Sequence, residues 1–340
     1  MKIIRLIRGE GVATDSKGRS VARSVGGSLL GLLCLVLVLR SVQLGHLERD
    51  LMSLEFPWIL AALIAFGMEY VCRTERWRRM LAHENPGVRW IDCAGPLLAS
   101  YAANSVLPLR AGDILRTFWF QDLLGVTPGV VVATLLVERL LDILVLISVG
   151  GIVFVYFGLG MFGSRGSEVS LLVTSALLIL SVLVFPRPLE ALCLLAARLL
   201  QFLAPKVAER VMPEIQKCLR AFRIIASRRE LLYLFMLSLA AWICEGYVFL
   251  SVARALPSLI EPNGSWIALP LGALATLIPG APGYVGTFEY AVVMVMTKLG
   301  NTPTDAAAYA LLLHAVLVLP TVLFGGSFLV LRHVRSRSAL

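Results

Sequence analysis

Charge is scarce in this chain: Asp, Glu, Lys and Arg make up 16% of its 340 residues, against about a quarter in an ordinary soluble domain. Hydrophobic residues reach 58%, mean hydropathy is +0.82, and the apolar runs are near-continuous and of spanning length. A soluble globular core is therefore excluded, and the chain belongs with polytopic helical membrane proteins. No Gly-x-x-x-x-Gly-Lys-Ser/Thr loop is present to cradle ATP. No nucleophile–base pair and no His/Asp/Glu spacing of the catalytic-metal type stands out, so an enzyme is not expected. The six cysteines, Cys34, Cys72, Cys93, Cys193, Cys218 and Cys244, lack paired or metal-type spacing and read as small buried hydrophobes. An aromatic-basic nucleic-acid module is missing too. The net charge of +9 sits between apolar runs, where it reports orientation and contact with anionic lipid. The expectation is thus no cofactor and no metal, with a lipid and the membrane as partners and no nucleic acid.

What the chain does have is a series of apolar segments. Lys2, Arg5, Arg8, Lys17, Arg19 and Arg23 precede an apolar run as in a signal peptide, but without a small-x-small cleavage site the run is expected to be a retained first helix. Full spans are expected at 26–44, 57–72, 128–157, 169–185, 231–253 and 306–331. Two further stretches, 91–122 and 266–299, are broken by Pro/Gly clusters: Leu107-Pro108-Leu109-Arg110-Ala111-Gly112-Asp113, and Pro279-Gly280-Ala281-Pro282-Gly283-Tyr284-Val285-Gly286. Each half is too short to cross, since a span needs about 20 residues. Both stretches are expected to be re-entrant helical hairpins. The Arg/Lys-rich parts, namely residues 1–25, a loop with Arg73, Arg76, Arg78 and Arg79, the segment 186–230 and a tail with Arg332, Arg335 and Arg337, then all fall on the cytoplasmic side with both termini. The weakly charged loops 45–56, 158–168 and 254–265 fall outside. Residues 189–225 alternate apolar and basic positions and read as interfacial helices, with Pro205 and Pro213 as breakers.

The two halves align, with chance recurrence of Pro and Gly in apolar sequence as the competing reading. Glu69 answers Glu245, Pro108 with Gly112 answers Pro279 with Gly283, and Thr127-Pro128 answers Thr302-Pro303, which sets Arg139 opposite His314. The fold class expected is therefore an all-α polytopic membrane protein of six full spans plus two re-entrant helical hairpins in an inverted repeat. Its expected organisation is an N-terminal segment and first span at 1–55, a first repeat at 56–157, a linking span with cytoplasmic helices at 158–230, a second repeat at 231–331 and a basic tail at 332–340.

Three groups of residues carry candidate chemistry. In the first break, Asn104, Arg110, Gly112, Asp113 and Arg116 combine a helix-starting acid with two guanidinium groups able to fork onto a phosphate. Arg116 alone fits ordinary positive-inside anchoring as well. In the middle of a span, Glu138, Arg139 and Asp142 each cost about 2.5–3.5 kcal/mol on insertion scales. Arg139 and Asp142 are spaced to pair, while Glu138 and Asp142 repel, so one needs a proton or a cation such as Arg110 or Arg73. A purely structural buried network is the competing reading. In the second break, Gly280, Gly283 and Gly286 permit close backbone approach, and a helix resuming near Thr287 aims free N–H groups at the break. A simple tight turn would explain the same glycines. Glu69, Trp242, Glu245, Glu289 and His314 are candidates to line the same cavity, although a lone histidine is more often just an interior one.

The first-break motif through Arg116, the mid-span Glu138-Arg139-Leu140-Leu141-Asp142, Trp242 with Glu245, and the second-break motif through Glu289 together resemble the flippase-like family typified by the membrane half of lysylphosphatidylglycerol synthases. The resemblance spans most of residues 55–331. It implies lipid translocation: of aminoacylated phospholipid in the fused proteins, and of polyprenyl-linked sugars or hopanoid-type lipids in stand-alone relatives. His314 departs from the family pattern, which favours arginine there. The sequence stops soon after its last span, so the soluble aminoacyl-transferase half, and with it lysyl-lipid synthesis, is not expected. The expected function is a flippase or transporter in a bacterial inner membrane, receiving an anionic headgroup on Arg110, Arg116 and Arg139. An integral enzyme on a lipid-linked substrate, a non-transporting partner of a lipid-modifying enzyme or glycosyltransferase, and a homo-oligomer stay open.

Overall fold

A computed structural model describes residues 32–38, 52–107, 110–156, 173–177, 179–180, 187–203, 205–226, 228–276 and 282–338. Most of the expected spans 26–44 and 169–185 lies outside these residues, as do Pro108 and Leu109 of the first break and Pro279, Gly280 and Ala281 of the second. The described residues are all-helical: α1 Phe56–Leu81, α2 Trp90–Val106, α3 Ala111–Trp119, α4 Gln121–Leu124, α5 Pro128–Tyr156, α6 Arg187–Leu203, α7 Pro205–Ile225, α8 Arg228–Arg254, α9 Ser265–Ala275, α10 Thr287–Lys298 and α11 Pro303–Ser338. Single 3-10 turns occupy Pro262–Gly264 and Pro282–Tyr284.

Local chemistry explains the helix starts. Prolines open α5, α7 and α11, where the missing N–H would have had no intrahelical partner. Thr302 caps α11 by accepting the Asp305 N–H at 3.2 Å. Among the described residues, helices in α1, α8 and α11 are long and apolar enough to cross a membrane. At 29 residues α5 is as long, but it carries Glu138, Arg139 and Asp142 in its middle.

The order of elements repeats. A long helix, a short helix, a break, a second short helix and a long proline-started helix occur as α1, α2, α3 and α5, and again as α8, α9, α10 and α11. The two leading helices pack extensively on each other, α2 lies along α11, and α9 lies on α5. Two apolar clusters fill the bundle. One groups Phe66 with Trp242, Phe249, Phe288 and Tyr309, the other Trp77 with Phe120, Leu141, Phe222 and Leu234.

Two expectations are corrected. The apolar run 57–72 is not followed by a basic loop, because α1 continues to Leu81 and buries Arg73 and Arg76 at 8% and 1% exposure. Their partners are Glu69 on the same helix and acids on facing helices, so the charges that end the hydropathy signal do not end the helix. Pro213 does not break the interfacial segment either, and lies inside α7. That helix is held against α5, where the Gly129 N–H donates to Glu214 Oε2 at 2.8 Å, and such packing offsets the lost backbone bond of one proline.

Candidate functional site

Each broken stretch folds back on itself, and sequence dictates how. The first turns of a helix leave N–H groups without partners. At α3 the Gly112 N–H donates to Asn104 Oδ1 at 2.8 Å, Asn104 Nδ2 donates to Asp113 Oδ1 at 3.0 Å, and Ser100 Oγ donates to the Gly112 carbonyl at 2.9 Å. A Cβ on Gly112 would collide with the Ser100 carbonyl. The N-cap is Arg110 itself, in the left-handed region at φ 53° and ψ 42°. In the second hairpin the Gly286 N–H donates to Glu289 Oε2 at 2.7 Å, and Glu289 Oε1 lies 2.5 Å from His314 Nδ1 on α11. Tyr284 is left-handed at φ 60°.

Among the described residues, Arg110 and Tyr284 are the two non-glycine positions with positive φ. One lies in each break, and such backbone costs on the order of 1–3 kcal/mol apiece, so it persists only where surroundings enforce it. The breaks also touch. Arg110 Nη2 donates at 3.4 Å to the carbonyl of Thr276, which ends α9, and Gly283, at φ 68°, sits against the Ser105 carbonyl.

Between the breaks lies a cavity of about 230 Å³. Glu69, Asn104, Arg110, Arg139, Asp142, Trp242, Glu245, Gly283 and His314, all singled out from sequence, line it. Gly112, Asp113, Gly286 and Glu289 stand behind those residues and fix the two breaks. Gly280 lies outside the described residues. The volume is below the usual range for a whole small-molecule ligand. It suits a small polar group rather than a large ligand.

The cavity floor is an ion-pair cluster. Arg73 bonds Glu69 at 2.6 Å and Glu245 at 2.7 Å, and approaches Asp142 at 3.7 Å. Arg76 bonds Asp142 at 2.5 Å and Ser238 at 2.8 Å, with Glu138 at 3.8 Å. Arg116 bonds Glu138 at 3.0 Å, and its guanidinium lies 3.8 Å from the centroid of the Trp77 ring. Tyr101 donates to Glu138 at 2.9 Å, and the Trp242 indole donates to Asp142 at 3.2 Å.

This arrangement replaces the Arg139–Asp142 pair that their spacing suggests. Arg139 instead faces Asp113 at 3.4 Å, and the cations serving Glu138 and Asp142 are Arg116 and Arg76. Arg116 is fully buried and does not line the cavity. Replacing it with lysine should therefore destabilise the protein by about 1–3 kcal/mol, through the lost Trp77 stack and mispaired Glu138. Thermal unfolding of the purified variant checks this, and unchanged stability would contradict it.

Sequence reasoning places Arg73 and Arg76 in a basic loop, offers Arg73 only as a candidate cation for Glu138 or Asp142, and misses Arg76 as a site residue. The signal was available: Glu69, Arg73, Arg76 and Met80 recur at helical spacing on one face, which continues the apolar face of Ala62 and Phe66. Arg78, off that face, pairs with Glu75 at 2.6 Å where both are partly exposed.

Helical hairpins that meet over a buried ionic cavity, in a chain with spanning helices, define an integral membrane protein with a polar interior site. The chain belongs to the lysylphosphatidylglycerol synthase TM region family, whose model matches residues 24–325. It is 26% identical over 337 residues to Glycosyltransferase AglD of Haloferax volcanii, covering 90% of this chain and 54% of that protein. It thus spans about half the length of that relative. A UPF0104 membrane protein of Methanocaldococcus jannaschii is 26% identical over 227 residues, 65% of this chain and 90% of its own length.

Proposed function

We propose that the protein is a lipid transporter that moves an anionic or polyprenyl-phosphate-linked headgroup between leaflets while the chains stay in the hydrocarbon. The observation that carries this reading is the pair of strained breaks, one from each half, lining a single polar cavity. Non-helical backbone at membrane depth is tolerated where it lines such a cavity, and matched broken segments are the hallmark of a midplane substrate site. In this reading the two hairpins are re-entrant and the halves form an inverted repeat, with both termini cytoplasmic. Asn104 and Asp113 hold the first break. Arg110 and Arg139 receive the headgroup, since both line the cavity and neither is fully occupied by a short ion pair. Arg116 and Glu138 form the frame behind them, and rocking of one half against the other exposes the cavity to each side in turn.

The test is transbilayer movement of fluorescent phosphatidylglycerol and of a polyprenyl-phosphate sugar in proteoliposomes. Wild-type protein should move at least one of them, and Arg110→Ala and Arg139→Ala should each reduce the rate at least tenfold with normal expression. Wild-type rates in both variants would remove these residues from the site, and inert wild-type protein would remove the transport reading.

A second reading has one observation in its favour. The relative named as a glycosyltransferase matches this chain over only 54% of its length, so a membrane unit of this type occurs joined to further sequence. The chain would then serve as the membrane partner of an enzyme acting on lipid-linked sugar. Headgroup movement that needs a second protein, or chemical change of the lipid without movement, would favour that reading.

A further inference from the structure

The ion-pair cluster on the cavity floor does not balance. Ion pairs of 3.8 Å or shorter join Glu69, Glu138, Asp142 and Glu245 to Arg73, Arg76 and Arg116: four carboxylates on three guanidinium groups. The imbalance traces to the repeat. Glu69 has Arg73 four residues on, one helical turn away, whereas the residue four beyond Glu245 is Phe249. Two equivalent carboxylates therefore share one cation, each through a single oxygen. The other oxygen of Glu69 is buried and has no hydrogen-bond partner among the described residues, although the side chain lines the cavity. An ionised carboxylate left so is among the costliest arrangements a protein interior can hold, and protonation is the ordinary escape.

Among the described residues, none of the other nearby cations reaches these two carboxylates. Arg139 faces Asp113 and His314 belongs to Glu289, while Arg110 points to the neutral Thr276 carbonyl across the cavity. The other titratable groups around the two carboxylates are Tyr70 and Cys72 on α1, Tyr101 on α2, Asp142 on α5 and Cys244 on α8. None of these brings a positive charge.

We propose that Glu69 and Glu245 form a proton-binding site that holds one shared proton when the cavity is empty and a second when an anionic headgroup received on Arg110 and Arg139 also engages Arg73 on the same cavity. The second step follows from electrostatics. Arg73 lines the cavity, and an anion placed on it adds negative charge to a cluster already in excess while drawing the guanidinium off both carboxylates. One proton from the aqueous phase then binds the exposed carboxylate, so headgroup and proton enter together. This rests on the transport reading above and gives it an energy source, a proton gradient, in a chain where sequence offers no ATP loop.

The experiment uses the full chain purified in detergent. Infrared spectroscopy should find the carbonyl stretch of a protonated carboxylic acid at neutral pH. Glu69→Gln and Glu245→Gln should each abolish it, because either substitution leaves three carboxylates for three guanidinium groups, and Asp92→Asn, outside the cluster, should not. Absence of the band in wild-type protein, or its survival in both glutamine variants, overturns the proton site. Farnesyl phosphate then serves as the anionic probe on wild-type protein. Its binding should take up about one proton and tighten about tenfold per unit fall in pH, and binding without either overturns the coupling. If farnesyl phosphate does not bind, the headgroup reading of the cavity fails, while the infrared result still decides the proton site by itself.

Discussion

Arg76→Ala is expected to cost the protein about 3–5 kcal/mol of stability, the usual penalty for removing one partner of a buried ion pair. The side chain is 1% exposed, and its loss strands Asp142, 2.5 Å away, while the Ser238 hydroxyl loses one donor but keeps its bond to the Leu234 carbonyl. Asp142 would keep only the Trp242 indole and a distant Arg73. Expression should fall, and the melting temperature in detergent should drop well below that of Arg78→Ala, two positions along. Arg78 pairs with Glu75 where each side chain is 25% exposed, and a pair of that kind contributes about 0–1 kcal/mol. The penalty in Arg76→Ala comes from the abandoned carboxylate rather than from lost attraction. A double variant, Arg76→Met with Asp142→Leu, should therefore recover most of the stability, since a packed apolar pair replaces a buried ionic one at little cost. Equal melting temperatures for Arg76→Ala and Arg78→Ala would refute the assignment of Arg76 to the buried cluster.

The four arginines of α1, Arg73, Arg76, Arg78 and Arg79, mark the boundary of what the sequence could tell. Hydropathy locates the long helices well: the stretches expected at 128–157, 231–253 and 306–331 correspond to α5, α8 and α11 within a few residues at most ends. The two Pro/Gly clusters likewise mark where helices stop and turn. Both signals are local, one an average over a window and the other a property of two residue types. Pairing is neither. Arg73, Arg76, Arg78 and Arg79 look alike in a hydropathy window, and only the facing helices decide that the first two meet Glu245 and Asp142 while Arg78 meets Glu75 on its own helix. Arg139 misled for the same reason. Its spacing to Asp142 favours a pair along α5, but Arg76 reaches Asp142 from α1 and the first break brings Asp113 to Arg139. The left-handed backbone at Arg110 was equally hidden, because glycine and proline advertise a turn without saying which neighbour carries its strain.

Under the transport function proposed above, Gly112→Ala is expected to abolish lipid movement, because no other residue fits that position. Its α-carbon faces the Ser100 carbonyl and the Asn104 side chain so closely that a methyl group would overlap both. The carbonyl is fixed within α2 and cannot yield as a side-chain tip would. Relief can come only from lifting α3 away from α2, at a typical overpacking cost of about 1–3 kcal/mol. That motion breaks the Asn104 bonds to the Gly112 N–H and to Asp113, and the Ser100 bond to the Gly112 carbonyl. With Asp113 displaced, Arg139 loses its partner, and Arg110, the N-cap of α3, loses its approach to the end of α9. A modest loss of stability would thus accompany a much larger loss of function, because both proposed headgroup ligands move together. Asn104→Ala separates the two effects: it removes the clamp without forcing the helices apart and should slow movement at least tenfold while melting within a few degrees of wild type. Transport assays run beside thermal unfolding on both variants make the comparison, and a Gly112→Ala protein that moves lipid at the wild-type rate would show that the first break is not part of the pathway.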